Sequence, residues 1–178
     1  MHARMGIDEA LMVRVARGDG HALRELCERW QLRLHQFLYR YTGGRDSDDL
    51  QQETWIRVVR SAAQFDPSRR FSTWMFQIAL NLARDWHRKE PVPPLAADVL
   101  DQLPELAPRL PGVEAAIDVR RLLATLPDEQ RAVIVLRDYH DLPEEEVAHI
   151  MGCPRGTVKS RLHHAMAKLS ALTKEPTP

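Results

Sequence analysis

Three features predict an all-α chain made of two small helical domains joined by a flexible, proline-rich, acidic linker. Between positions 8 and 90, apolar residues recur at helical spacing and no alternating stretch supports a strand. Six of the twelve prolines fall within 91–111, in the acidic segment PVPPLAADVLDQLPELAPRLPG. Helical spacing then resumes and ends in two apolar-faced helices separated by Gly152-Cys153-Pro154.

In the first domain, 8–90, Leu11 and Val15 mark one helix. Leu23, Leu26, Trp30, Leu34, Phe37 and Leu38 mark a second, with GDG at 18–20 as the break. YTGGRDSDDL supplies a turn and a new start. Ser47 is the expected N-cap there, and Asp48 and Asp49 lie where the helix dipole favours acid, in a helix running to Ala63. FDPSRR at 65–70 reads as a turn, with Ser72 capping a helix that carries Trp74, Ile78 and Leu82. Proline over 91–112 prevents a continuous helix beyond one short stretch near 95–102. Composition alone leaves a spacer and a functional strap equally open. Helices are then expected at 113–125, 128–139, 144–151 and about 155–171, within a second domain of 113–172. Pro127 and Pro143 mark starts and Gly152 marks a stop.

The chain has 178 residues and equal numbers of basic and acidic side chains, 25 each. That balance hides an uneven distribution. Residues 51–90 carry 7 basic and 4 acidic groups, 91–118 carry 1 and 5, 119–152 carry 4 and 7, and 153–178 carry 5 and 1. Two basic blocks flank an acidic middle, and it is the local field that decides what docks. No apolar run approaches the roughly 18 residues of a membrane span, and the first residues lack the pattern of a secretory signal. The expected location is therefore cytoplasmic, without membrane insertion. Cys27 and Cys153 form no CxxC or Cys/His ligand spacing and read as reduced thiols, so no metal or other cofactor is expected.

LPEEEVAHIMGCPRGTVKSRL is a helix–turn–helix pattern. Val147, Ala148 and Met151 share one face, and Val158, Leu162, Ala165 and Leu169 share another. Both faces are expected to pack on Leu122, Leu126, Val133 and Leu136. The outer face of the second helix then presents Arg155, Thr157, Lys159, Ser160, Arg161 and His163, with no carboxylate, as a phosphate-lined major groove requires. A solvated basic face is the alternative. In FSTWMFQIALNLARDWHRK, Gln77, Asn81, Arg84 and Arg88 form a polar stripe, beside Arg69 and Arg70 and among aromatic rings. Amides, guanidinium groups and aromatics together suit single-stranded nucleic acid. Taken singly, Trp74 and Trp86 read as core.

DLQQETWIRVVR, FSTWMFQIALNLARD and LPDEQRAVIVLRDYHDLPEEEVAHIMGCPRGTVKSRLHHA, in that order, resemble the two core domains of bacterial sigma factors of the sigma-70 family. The nearest type is the small group IV, or extracytoplasmic-function (ECF), kind, and the likeness runs from about residue 8 to 172. It implies a transcription initiation factor, not an enzyme, that brings core RNA polymerase to promoters and assists strand opening at the −10 element. Region 2 would span 8–90 and region 4 would span 113–172. Asp49, Gln52, Glu53, Arg57 and Arg60 occupy the positions that dock on the polymerase. Phe65, Asp66, Ser68, Arg69 and Arg70, with the stripe Gln77, Asn81, Arg84 and Arg88, occupy those that hold −10 DNA. Arg155, Gly156, Thr157, Lys159, Ser160, Arg161, His163 and His164 occupy those that read the −35 element. The acidic linker matches a segment threaded through the polymerase's RNA path, and the lack of a sensory domain implies control by a separate anti-sigma factor.

Departures from the commonest family pattern are few. His164 and Met166 stand where arginines are frequent, which weakens the grip on phosphate. Pro143 replaces the usual Ser or Thr cap, leaving Asp141 as the expected substitute. Two rival functions are a helix–turn–helix regulator with a ligand-sensing N-terminal domain, and a helical-bundle enzyme. The second lacks converging histidines and carboxylates, since only His21, His35 and His87 lie in the helices before the linker.

Overall fold

The computed structural model describes residues 6–89 and 113–174. The linker expected over 91–112, with its short helix near 95–102, lies outside the described residues. Among the described residues there is no strand, and no helix is long and apolar enough to cross a membrane.

Four helices build the first unit: α1 (Ile7–Val15), α2 (Gly20–Thr42), α3 (Ser47–Arg60) and α4 (Phe71–Lys89). Leu11, Met12 and Val15 turn one face of α1 onto α2. Asp19 ends the intervening turn and caps α2, its Oδ1 accepting from the backbone N–H of His21 at 2.9 Å and of Ala22 at 3.1 Å. Phe37, Phe71, Met75, Phe76 and Leu80 are fully enclosed between α2 and α4, and Trp30 packs edge-on against Phe71 and Phe76.

Two helix starts differ from expectation. Ser47 is the first residue of α3 rather than its cap. The preceding Asp46 takes a left-handed turn (φ 47°), and its carboxylate accepts from Trp86 Nε1 at 2.8 Å, so this acid pins α4 instead of capping α3. Helix α3 ends at Arg60 and passes into a short 3₁₀ turn at Ala62–Gln64. Helix α4 begins at Phe71, before Ser72 could cap it. The Phe71 N–H donates to Glu9 Oε1 at 2.8 Å, so a carboxylate from α1, 62 residues away in sequence, does the capping.

The second unit comprises α5 (Val113–Ala124), α6 (Asp128–Ile134) with a π-helical continuation at Val135–Tyr139, α7 (Glu144–Met151) and α8 (Arg155–Lys174). Pro127 and Pro143 each sit one residue before a helix, and each is followed by an acidic first turn, Asp128-Glu129 and Glu144-Glu145-Glu146. Asp141 adopts a left-handed conformation (φ 52°) in the turn before α7 and makes no cap; that turn is closed by Leu142 N–H on the Leu136 carbonyl at 3.2 Å. Leu126, Val133, Leu136, Val147, Val158 and Ala165 are buried together as expected. Leu123 and Ile150 join them, whereas Leu122 is only half-buried.

Gly152 closes α7 at φ 65°, and Cys153 N–H reaches back to the Ala148 carbonyl at 3.1 Å. A side chain at Gly152 would meet no neighbour within 4 Å, so the cost of adding one is purely conformational. Gly152→Ala is expected to cost about 1 kcal/mol, read from urea midpoints.

The two units do not stand apart. Helix α4 lies along α7, while α2 meets α5, α6 and the π turn, and the buried side chains of both units form one continuous core.

Candidate nucleic-acid interface

Helix α8 follows the Gly152 turn, with Thr157 and Val158 N–H groups bonded to the Pro154 carbonyl. Val158 and Ala165 anchor it, which turns Arg155, Gly156, Lys159, Ser160, His163 and His164 to solvent. Thr157 is half-buried at its start. The helix N-terminus adds a partial positive charge to this face. Arg155 Nε donates to Glu144 Oε2 at 3.1 Å, and Lys159 Nζ lies 4.0 Å from the same oxygen. Arg161 turns inward, with Nη1 2.8 Å from Glu129 Oε2 and 3.6 Å from Cys153 Sγ.

On α4, Asn81 and Arg88 are exposed and Gln77 and Arg84 half-buried along one line. Arg88 pairs with Asp85 on its own helix. In the preceding loop, Asp66 Oδ1 accepts from Ser68 N–H at 2.9 Å, which holds the Asp66 carboxyl below its ordinary range and shapes the turn. Asp66, Ser68, Arg69 and Arg70 are exposed. Phe65 is not. Expected to contact DNA, it is 8% exposed and packs against Phe71 and Trp74, so it anchors the loop from below. Trp74 and Trp86 are partly buried against the core, in keeping with their expected structural role.

On α3, Asp49, Gln52, Arg57 and Arg60 are exposed and Glu53 half-buried, with Arg57 Nε 3.1 Å from Glu53 Oε1. Ile56 (38% exposed) and Val59 (43%) stand among them. Sequence reasoning passed over this apolar pair. Its signal is the WIRVV run, which carries more apolar residues than one buried face can hold.

Sequence reasoning also missed the acids that join the units. Glu129 accepts from Arg84 Nε at 3.0 Å and from Arg84 Nη2 at 2.9 Å, the bidentate geometry guanidinium groups favour. Glu146 accepts from Thr73 Oγ1 at 3.0 Å and lies 2.9 Å from Arg70 Nη1. His87 Nδ1 and Asp128 Oδ2 are 2.6 Å apart, and this contact draws the Asp128 carboxyl below its ordinary range. The His87 ring stacks on Tyr41, whose phenol is pushed well up by burial. Arg69, Arg70, Trp74 and Gln77 open onto a cleft of about 400 Å³ whose opposite wall is Glu145, Glu146 and His149. The legible signal was the pair of motifs LPDEQ and LPEEE, which place acids in first helical turns, but nothing in them names partners in the other unit.

Comparison with known proteins agrees with this division. Residues 26–91 match the family described as Sigma-70 region 2, and residues 116–169 match Sigma-70, region 4. The chain is 32% identical over 171 residues to an ECF RNA polymerase sigma-E factor of Haemophilus influenzae, covering 89% of this chain and 90% of that one. Among solved structures, it is similar to CnrH, determined in complex with the cytosolic domain of CnrY. The TM-score is 0.74 at 28% identity, covering 97% of this chain and 100% of CnrH. The fold is also that of the sigma factor RpoE bound to the anti-sigma factor NepR from Bartonella quintana, at TM-score 0.66 and 23% identity, covering 86% and 99% of the two chains.

Proposed function

The chain belongs to the ECF sigma factors of the sigma-70 family, and we propose that it works as a two-point clamp on promoter DNA whose middle step is strand separation. As a member of that family it is a transcription initiation factor that binds core RNA polymerase and promoter DNA. Helix α8 enters the major groove of the −35 element, with Arg155, Gly156, Thr157, Lys159, Ser160, Arg161, His163 and His164 shared between base edges and phosphates. The loop residues Asp66, Ser68, Arg69 and Arg70 and the α4 stripe Gln77, Asn81, Arg84 and Arg88 hold the −10 strand once it is unpaired. Residues 8–90 and 113–172 carry these two tasks, and the segment between them links the two points. Asp49, Gln52, Glu53, Arg57 and Arg60 dock on the polymerase, and Ile56 and Val59 add an apolar contact at the centre of that face.

Opening the duplex costs a few kcal/mol for each extruded base, and about 1.4 kcal/mol of stacking for each further step. Contacts made only to the opened strand offset this cost only where the bases fit, so recognition and melting become one event. No covalent step falls to this chain; the polymerase supplies the catalytic centre. The family likeness also implies cytoplasmic action and control by a separate anti-sigma factor.

The observation that carries the reading is the presence of two cationic helix faces, α4 and α8, on separate units in the order of regions 2 and 4. The test is run-off transcription with purified core polymerase on fragmented genomic DNA. Defined start sites are expected only when the chain is added. Identical starts with and without it would overturn the reading.

A further inference from the structure

The outer face of α8 has no carboxylate of its own, yet the fold brings one to it from the preceding helix. Glu144, half-buried in the first turn of α7, accepts from Arg155 Nε at 3.1 Å, and Lys159 Nζ lies 4.0 Å from the same oxygen. Arg155 and Lys159 are four residues apart on one exposed side of α8, so their like charges repel. One carboxylate oxygen near both offsets that repulsion. The neighbouring acids are placed differently: Glu146 turns to Arg70 and Thr73 in the first unit, and Glu145 is exposed.

An acid at this point costs affinity for DNA in general, because it cancels a cation beside a face meant for phosphate. What it supplies is aim. Arginine carries its N–H groups in a rigid planar fork. The bond from Nε to Glu144 is the only hydrogen bond that the Arg155 side chain makes among the described residues. It fixes the fork and leaves the terminal Nη1 and Nη2 groups to donate elsewhere, and such a pair is what bidentate recognition of guanine O6 and N7 requires. Arg155 is also the first residue of α8, at the end of a groove-bound helix that brings side chains to base edges. A side chain held in place beforehand gives up less freedom on binding.

Building on the function proposed above, we infer that Glu144 is a positioning residue for −35 readout: it aims Arg155 at a guanine in the major groove and so sets the base preference at that one position without touching DNA itself. The arrangement lowers affinity for DNA at large and raises discrimination at a single base pair. Two effects of opposite sign therefore follow from one carboxylate.

The test uses the full-length chain assembled with core polymerase, on a promoter fragment taken from the start sites mapped by run-off transcription. Each base pair around −35 is changed in turn, and holoenzyme affinity is measured by competition. Arg155→Ala identifies the base pair that Arg155 reads, which is expected to be G·C, with preference for it falling at least about fivefold. Glu144→Gln is expected to reduce preference at that same base pair at least about threefold and to leave the other positions unchanged. Combined with R155A it should add nothing further. Glu145→Gln is the control, with the same charge change in the same helical turn, and it should keep the preference. On a duplex of arbitrary sequence the E144Q holoenzyme should bind at least as tightly as this control.

A purely structural Glu144 would weaken binding to every sequence alike, and that result would overturn the inference. So would an unchanged preference in E144Q, or no loss of preference in R155A. A loss in E144Q at a different base pair would overturn it too, because Glu144 would then be reading a base itself. If E144Q does not fold, Glu144→Asp takes its place: the charge stays, the reach shortens, and the same loss at the same base pair is expected. An unchanged profile for E144D then overturns the inference. The sigma-factor reading fails separately. An unmodified holoenzyme without any preference around −35 overturns that reading of α8, whereas a preference kept by both the unmodified and the E144Q holoenzyme overturns the positioning role alone.

Discussion

Replacing Arg131 with methionine is expected to destabilise the chain by about 3–5 kcal/mol, the range for removing one partner of a buried charge network. Arg131 is 9% exposed at its side chain. Its Nε donates to the Leu123 carbonyl at 2.8 Å, Nη2 to the Leu126 carbonyl at 2.9 Å and the Ala124 carbonyl at 3.3 Å, and Nη1 to the Tyr41 carbonyl at 2.7 Å. One guanidinium thus satisfies the last carbonyls of α5, the turn into α6 and the end of α2. Methionine fills similar volume but donates nothing, leaving three buried acceptors, a half-buried one and Asp128, 3.6 Å away, without this cation. Arg131→Lys keeps the charge but lacks the planar fork needed to span carbonyls from three segments, so an intermediate loss is expected. Urea unfolding of the full chain reads both. A loss below about 1 kcal/mol for the methionine variant would show that solvent reaches these carbonyls.

Arg131 also marks where sequence reading stopped. The helical content, the break at GDG, the proline-marked starts of α6 and α7 and the apolar faces of the helix–turn–helix were legible because each depends on neighbours a few residues away. The stripe Gln77, Asn81, Arg84 and Arg88 was legible for the same reason, since spacing alone puts it on one side of α4. Partners distant in sequence were not. Nothing local indicates that Glu9 caps α4, that Asp46 serves Trp86, or that Arg131 bonds to the Tyr41 carbonyl 90 residues away. Phe65 misled because an aromatic in a loop expected to face DNA suits either an unstacked base or the core, and only the rings of Phe71 and Trp74 decide between them. Arg161 misled in the same direction, for a different reason. Its helix face predicts exposure, yet the length of its side chain lets it bend back to Glu129.

The second large effect is expected from acid, and it acts where the two units meet. His140 lies in the turn between the π segment and α7, 8% exposed, with its ring 5.0 Å from Phe76 and 6.1 Å from Phe37 in the first unit. Burial, reinforced by the cations of Arg40 and Arg33 on α2 and only partly opposed by neighbouring Asp141, lowers its pKa from 6.5 to about 4. A histidine depressed in this way binds its proton more readily in the unfolded chain. Its contribution is therefore fully present above pH 6.5 and is lost as pH falls from there towards 4. The complete loss is about 3 kcal/mol, of which about 2 kcal/mol should be gone by pH 5. Asp128 is shifted down from an ordinary value of 3.8, so its stabilising contribution fades only at lower pH, clear of this window. The measurement is the urea midpoint at pH 7.5 and pH 5 for the native chain and for His140→Gln, which keeps a polar side chain but does not titrate. The native chain should lose about 2 kcal/mol more than the variant between the two conditions. Parallel losses would mean that His140 reaches water once protonated, and that the junction between the units is looser than its packing against Phe37 and Phe76 implies.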